Sequence, residues 1–354
     1  MVNDSSQHKV LITPLDWGLG HATRCIPIIN EFLKKNFEVQ IASSGSALVL
    51  LKKEFPELKF HELVSYDAKY SSSLPFMIKI LLQMPKFLLA IKKENQQIEK
   101  IIAQEKIDLI VSDNRFGCYS DKIPSVIITH QVNILMNKNW RWLQGIINWG
   151  NHKQIKKFSQ CWIPDFPNGI TGKLTQPNSL NAKFIGMLSR FEKKNVEKKY
   201  DVLALISGPE PERTVLENEL TKQLSNSSFN YFIVRGKPDD NKINESNEAN
   251  HLNADELNSL IESSDIVVSR SGYTTVMDLW KLNKKAIFIP TPGQTEQEYL
   301  AEELMKKKIT FYQTQSNFDL KIVLEESKKY KGFTDYDSSS NLLSNSVDEI
   351  LNSL

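Results

Sequence analysis

Short apolar runs alternate with longer stretches in which apolar residues return every three or four positions, from Lys9 to the end of the chain. The short runs read as buried strands and the longer stretches as helices packed on them. In the first half, strands are expected at 9–13, 37–42, 58–64, 107–112 and 161–163, with one more strand and its exit loop between Lys122 and Gln131. Helices are expected at 22–35 and 47–55, the first with Ile26, Ile29, Phe32 and Leu33 as its apolar face. The second half repeats the rhythm. Its strands fall at 182–186, 201–206, 230–234, 265–269, 286–289 and 309–312. Its helices begin near Arg213, Ala254 and Tyr273; another reaches Ala301, one runs to about Tyr330, and an amphipathic one spans 341–354. Strands and helices alternating at this spacing predict an α/β chain with parallel, doubly wound sheets.

At 354 residues the chain is long enough for two domains. The prolines and glycine of 164–169 and the polar stretch 172–181 mark a linker, which gives domains at 1–165 and 166–333 and a C-terminal helix within 334–354. Asp239 to Asn250 is Asn-rich and reads as a surface loop. With 40% hydrophobic and 24% charged residues the chain should be globular, and a net charge of +2 gives no reason to expect nucleic acid. Cys25, Cys118 and Cys161 are scattered without metal-like spacing, so neither a disulfide framework nor a metal site is expected, and the compartment should be reducing. The N-terminus is polar and no stretch is apolar for long enough to cross a bilayer, so a cytoplasmic location is expected. Residues 74–93 are unusually apolar, interleaved with Lys79, Lys86, Lys92 and Lys93, and Pro85 should kink or restart their helix. They read either as a core helix with one wet side or as a patch that enters a lipid headgroup layer. Trp140, Trp142 and Trp149 lie in 139–157 and are expected to pack on the core, an acceptor groove being the alternative.

Two loops carry candidate chemistry. Residues 264–301 read strand, tight turn, helix, strand, polar loop, helix. Gly272 would let a ligand approach the backbone, where the helix start offers unpaired N–H groups and the positive end of a dipole. Thr274 and Thr275 add hydroxyls, and Asp278, just past the first helical turn, could accept hydrogen bonds from a ribose diol. Spacing alone favours the plainer reading, a capped helix with a solvated aspartate. The first strand ends in Gly18-x-Gly20-His21-x-x-Arg24, which lacks the third glycine and the downstream acid of a dinucleotide fingerprint. Alone it fits a tight turn with a histidine at a helix start. Asp113 and His130 follow later strands and should share a rim with Gly18 to His21, where such sheets gather ligands. Loop capping is their ordinary alternative.

The run Arg270-Ser271-Gly272-Tyr273-Thr274-Thr275-Val276-Met277-Asp278, followed by an apolar strand, Pro290 and Gln297, resembles the donor-binding segment of MurG-like glycosyltransferases of family 28. The resemblance covers most of the chain and is strongest over 264–301. It implies a GT-B fold, two Rossmann-like domains facing across a cleft, with the last helix returning to the first domain. It implies a UDP-sugar donor whose diphosphate meets Arg270 to Thr275 and the Ser207-Gly208 loop, whose ribose is held by Asp278 and whose sugar is contacted by Gln297. The family often has glutamate where this chain has Asp278, and commonly a second glutamine where it has Glu298, so the sugar is left open. The Gly18, Gly20, Arg24 loop would face the acceptor, and His21 becomes a candidate for activating its hydroxyl or for contacting the donor phosphates. A neutral imidazole can take that proton. Asp16 is a second candidate, as base or as the group that orients His21, and Asp113 or His130 could share or replace the base. In membrane-associated members a hydrophobic patch with basic neighbours lies near 74–93, which points to a lipid-borne acceptor and peripheral contact with the inner face of a membrane.

The resulting expectation is an inverting, metal-independent transferase that moves a hexose or N-acetylhexosamine from a UDP-sugar, a substrate rather than a cofactor, to an acceptor hydroxyl. Two alternatives stay open: a UDP-sugar epimerase on the same fold, and a non-catalytic GT-B protein that binds UDP-sugar.

Overall fold

The structure, a computed structural model, describes residues 7–66, 76–167, 169–177, 179–237, 246–334 and 341–354, and only the backbone of 76–84. It divides into two units, Met1–Leu188 with Ser339–Leu354, and Ser189–Ser338.

In the first unit, β1 (Lys9–Pro14) is buried at all but its first position, as a strand covered on both faces must be. It lies between β2 (Glu38–Ser43) and β4 (Leu109–Asp113) in a seven-stranded sheet of order β3-β2-β1-β4-β5-β6-β7, with β3 at Lys59–Glu62, β5 at Ser125–Ile128, β6 at Gln160–Ile163 and β7 at Ala182–Phe184. Every pairing is parallel. Helices α1 (Leu19–Lys34), α2 (Gly45–Glu54), α3 (Phe76–Glu105) and α4 (Gln144–Ile155, after a 3₁₀ turn at Lys138–Leu143) connect the strands. The register decides where chemistry can gather. Pro14 is level with Asp113, and Asp113 with Ile128, so the exits of β1, β4 and β5 open side by side.

The second unit has a six-stranded parallel sheet, β10-β9-β8-β11-β12-β13: β8 (Tyr200–Leu205), β9 (Tyr231–Val234), β10 (Glu248–Ala249), β11 (Ser264–Ser269), β12 (Lys285–Phe288) and β13 (Phe311–Tyr312). Its helices are α5 (Glu212–Ser225), α6 (Ala254–Glu262), α7 (Tyr273–Lys281), α8 (Thr295–Lys306) and α9 (Leu320–Ser327). Leu216, Leu220 and Leu224 of α5, spaced four apart, pack with Val202, Val268, Ile287 and Val323 into the core on one face. Ser269 is level with Leu205 and with Phe288, so β8, β11 and β12 also empty onto one rim.

Several expectations are corrected. The segment at 182–186, assigned above to the second domain, is β7, the edge of the first sheet, because it pairs with β6. The first unit accordingly continues to Leu188 rather than stopping at 165. Within the Asn-rich stretch, Glu248–Ala249 forms β10, too short and polar to register as an apolar run. Helix α3 runs through Pro85 without restarting. Of the apolar stretch 74–93, residues 74 and 75 lie outside the described residues. Helix α10 (Leu342–Leu351) packs on α1. It buries Val347 and Ile350 and forms ion pairs Lys35–Asp348 and Lys183–Glu349, each at 2.5 Å.

Candidate active site

On the rim of the first unit, Gly18 takes φ +76°, a conformation that costs most residues strain, and caps α1 without any side-chain hydrogen bond. The helix starts at Leu19, so Gly20 and His21 lie in its first turn rather than in the preceding loop. Arg24, one turn on, points back into the sheet. Its guanidinium is 2% exposed and grips the wholly buried Asp113 with two bonds, Nε to Oδ2 at 2.5 Å and Nη2 to Oδ1. Nη1 donates to His130 Nδ1 at 2.9 Å, and Nη2 approaches His21 Nδ1 at 2.8 Å. His21 Nδ1 is also 3.2 Å from Asp113 Oδ1. Glycine loop, arginine, aspartate and two histidines thus form one cluster.

Electrostatics sorts the members. Burial raises the proton affinity of the Asp113 carboxyl, but the charges of Arg24 and His21 and their hydrogen bonds outweigh it and hold the group well below the usual carboxylate range. So weak a base takes no proton from an alcohol near neutrality; Asp113 orients its neighbours instead. Burial first, then the Arg24 charge, lowers the His21 pKa below its ordinary value, so the ring is neutral near pH 7. Nδ1 cannot accept from Arg24 and donate to Asp113 at once. With its proton on Nδ1 toward Asp113, His21 keeps a basic lone pair on Nε2. The His21 side chain is 16% exposed against none for Asp113, and His130 is buried.

Asp16 does not orient His21. Its Oδ2 accepts from Ser44 at 2.8 Å and Ser65 at 2.5 Å, and its Oδ1 lies 3.6 Å from Arg115. Arg115 is itself paired with buried Glu94 at 2.5 Å, and Tyr66 donates to Glu94 at 2.6 Å. Trp17 packs on Phe87 and Tyr66 at ring separations of 5.6 and 6.3 Å. This network braces the glycine loop from behind. Glu94, inside a charged helical run, and Arg115, after a strand, carry no pattern that would have announced it.

On the rim of the second unit, α7 begins at Gly272 with no side-chain cap; Thr274 and Thr275 do not supply one. By contrast α6 carries a full capping box between Asn253 and Glu256. Gly272 has φ −67°, open to any residue, and a Cβ there would meet only Thr275 Oγ1 at 4.0 Å. The missing side chain therefore leaves the helix start open rather than serving the turn. Opposite, Gly208 follows β8 at φ +109°. A Cβ on it would lie 3.4 Å from Thr291 Oγ1 and 3.8 Å from Arg270 Nε. Both of those atoms are buried and have no hydrogen-bond partner.

Arg270 is the largest departure from the sequence reading. It is 1% exposed and spans the floor of the rim. Nη1 donates to the carbonyls of Ile289 and Pro290, and Nη2 to the Glu212 carbonyl at 2.7 Å and the Gln315 amide oxygen at 2.5 Å. Every partner is neutral. Burial lowers its pKa to about 10, with Glu212 pulling the other way, so its charge persists at neutral pH. Ser271 is likewise buried, and its hydroxyl donates to the Gln297 carbonyl at 2.7 Å. Gln297 Oε1 accepts from Thr291 N at 2.9 Å and Glu298 Oε1 from Gly293 N at 2.9 Å, so both side chains fasten the loop after β12. Ser207 is exposed beside Gly208, and Tyr273 is buried. Asp278 is half-buried, and Ser189, which sequence reasoning missed, donates to its Oδ1 at 2.5 Å. Burial pushes the Asp278 pKa up to about 7, against the Ser189 hydrogen bond and the charge of Arg190.

Among the described residues no three His, Cys, Asp or Glu side chains cluster as metal ligands, and no helix is long and apolar enough to cross a membrane.

Residues 212–348 match the glycosyltransferase family 28 C-terminal domain. An uncharacterized glycosyltransferase of Methanosarcina mazei is 25% identical over 359 aligned positions, covering 91% of each chain. The UDP-N-acetylglucosamine--N-acetylmuramyl-(pentapeptide) pyrophosphoryl-undecaprenol N-acetylglucosamine transferase of Clostridium tetani is 24% identical over 77% of this chain and 75% of its own. The solved structure of MurG from Acinetobacter baumannii superposes with a TM-score of 0.59 at 12% identity, over 98% of this chain and 100% of the other. Two parallel α/β units and these neighbours show the GT-B fold, and the chain, with a family 28 C-terminal domain over residues 212–348, is similar to MurG-like glycosyltransferases.

Proposed function

We propose that the protein transfers a sugar from a UDP-sugar to an acceptor hydroxyl with inversion at the anomeric carbon. The observation that carries the donor side is the rim at Gly208. An uncapped helix start, a buried arginine hydrogen-bonded only to neutral groups, and two unpartnered donors, Arg270 Nε and Thr291 Oγ1, converge where a glycine leaves room. A diphosphate would satisfy all of them. Asp278 would accept from the ribose diol, and Gln297 and Glu298, at the start of α8, would meet the sugar. Ser271, with its hydroxyl committed to Gln297, would contribute through its backbone.

In the first unit the reading assigns His21 Nε2 as the base. The acceptor oxygen attacks the anomeric carbon, the bond from that carbon to the diphosphate oxygen breaks, the electron pair leaves with UDP, and the acceptor proton passes to Nε2. Asp113 would then stabilise the imidazolium, as Arg24 holds Asp113 in place. No step needs a metal ion, because donor N–H groups and the α7 dipole meet the leaving charge. A lipid-borne acceptor, suggested by the name of the Clostridium tetani relative, fits the apolar 74–93 stretch, of which Leu88 and Leu89 are exposed beside Lys86, Lys92 and Lys93.

The test is a thermal-shift panel of UDP, UDP-sugars, GDP and TDP on wild type, Asp278→Ala and His21→Ala, followed by transfer assays with lipid extracts. A ligand at a hundred times its Kd adds about 2.7 kcal/mol of stability. Uridine nucleotides should stabilise wild type and His21→Ala but not Asp278→Ala, while His21→Ala should lose roughly a hundredfold or more in transfer. Stabilisation by no nucleotide would overturn the donor site. Release of free sugar or of an altered sugar nucleotide without acceptor would favour an epimerase.

A further inference from the structure

Glu217, in the second turn of α5, is a carboxylate drawn in from solvent: its side chain is 8% exposed. Cations meet both of its oxygens. Oε2 accepts from Arg213 Nη1 at 2.7 Å and lies 3.2 Å from Lys237 Nζ, and Oε1 accepts from Arg235 Nε. Burial raises the proton affinity of the carboxyl, but the bonds from Arg213, Arg235 and Lys237 outweigh it and hold the pKa below its ordinary value. The group is therefore charged near neutrality. Helix α5 does not need this charge to dock, since Leu216, Leu220 and Leu224 already pack into the core. A buried ion cluster contributes little net stability over apolar side chains of similar volume, so its effect is sought in what it holds in place.

The cluster ties the second rim together. Arg213 is the second residue of α5, and Arg235 and Lys237 follow β9. Arg213 Nη1 also donates to the Arg235 carbonyl at 3.1 Å, and its Nε to Glu210 Oε1 at 2.7 Å, in the loop that carries Ser207 and Gly208. Arg235 Nη1 donates to Asn250 Oδ1 at 3.0 Å, just past β10. Between the two cations after β9, Gly236 has φ +67°, and a Cβ there would strike the Ile206 carbonyl. This turn therefore lies directly against the exit of β8, one residue before Ser207. From its other side the start of α5 reaches Arg270: the Glu212 carbonyl accepts from Arg270 Nη2 at 2.7 Å. Glu217 is thus linked to both walls of the Gly208 rim, the Ser207-Gly208 loop and the buried guanidinium that faces it.

We propose that Glu217 is a positioning residue for the sugar-nucleotide donor: the clamp it forms with Arg213 and Arg235 sets the spacing between the Ser207-Gly208 loop and Arg270, and with it the fit of the diphosphate. This role rests on the reading of that rim as a diphosphate seat. Glu217 itself touches no ligand. A diphosphate needs its donors placed to within about 0.5 Å, so a slack clamp harms those contacts first. Asp278, assigned to the ribose, stands on α7 outside the clamp, so the grip on the nucleoside should survive.

The test compares dissociation constants of UDP and of uridine, by NMR titration of the full chain, for wild type, Glu217→Gln and Gly236→Ala. Glutamine keeps the volume of Glu217 and removes its charge. Glu217→Gln should bind UDP roughly tenfold more weakly or worse and bind uridine as wild type does. Gly236→Ala, which presses on the β8 exit with the ion pairs intact, should reproduce that pattern. A role in folding alone would lower the melting temperature of Glu217→Gln without separating the two ligands. Unchanged UDP affinity in Glu217→Gln, or uridine weakened as much as UDP, overturns the role while the donor reading stands. Wild type that binds neither ligand overturns the donor reading and this role with it.

Discussion

Arg24 shows how one side chain can fix a site. It neutralises Asp113 inside the sheet and touches both histidines, so replacing it takes the arginine charge away from a buried carboxylate. Arg24→Met should cost about 3–5 kcal/mol of stability, read by urea denaturation, because breaking one half of a buried ion pair leaves the other half uncompensated. A loss below 1 kcal/mol would mean that Asp113 takes up a proton cheaply. Asp278 offers a titration instead. Its pKa stands at about 7 without ligand, and a ribose diol that donates to it would favour the carboxylate. Affinity for a UDP-sugar, which has no terminal phosphate titrating in this range, should rise as pH climbs from 6 to 8, by at most about tenfold per unit. The sign for the unliganded protein is opposite. The raised pKa contributes stability that is complete below about 4, the unfolded aspartate value, and is lost as pH rises through about 7. Calorimetric titration of wild type and Asp278→Asn checks this; a flat wild-type profile would remove Asp278 from the nucleotide. Sequence led to Asp278 and His21 because both sit at helix starts after strands. It could not reveal that Asp113 rather than Asp16 faces His21, since that pairing spans 92 positions and follows from the register of β1 with β4.

At the scale of elements, apolar periodicity identified nearly every strand and helix, because strands buried on both faces read as unbroken apolar runs. It failed where that link breaks. Strand β10 has two residues and produces no run, while β7 is legible as a strand but nothing local shows that it pairs with β6 rather than opening the second sheet. The expectation that Trp142 and Trp149 pack on the core fails for a different reason: size and apolarity do not show which way a side chain faces, and Gln144, Asn148, Asn151 and His152 turn toward the protein while both tryptophans are exposed. The βαβ unit around Gly272 was legible in full, as turn, helix and following strand all obey local rules. The role of Arg270 was not, because its partners come from the exits of three other segments, at Glu212, Ile289 to Pro290 and Gln315.

For the molecule as a whole, the first unit is made of two distant pieces of chain, and α10 supplies Val347, Ile350 and two ion pairs to it. A chain ending at residue 340 should lose up to about 3–6 kcal/mol from that unit, counting the two apolar side chains alone. Urea unfolding should show the loss, whereas the nucleotide-dependent thermal shift assigned to the second unit should persist. An unchanged unfolding profile would make α10 an ornament of the surface. The same arrangement sets an order in time. Because synthesis proceeds from the N-terminus, β1 to β7 leave the ribosome while the residues that cover α1 are still more than 150 positions from being translated. The nascent first unit must carry an uncovered apolar face through the whole synthesis of the second, which makes it a natural client for a chaperone during that interval.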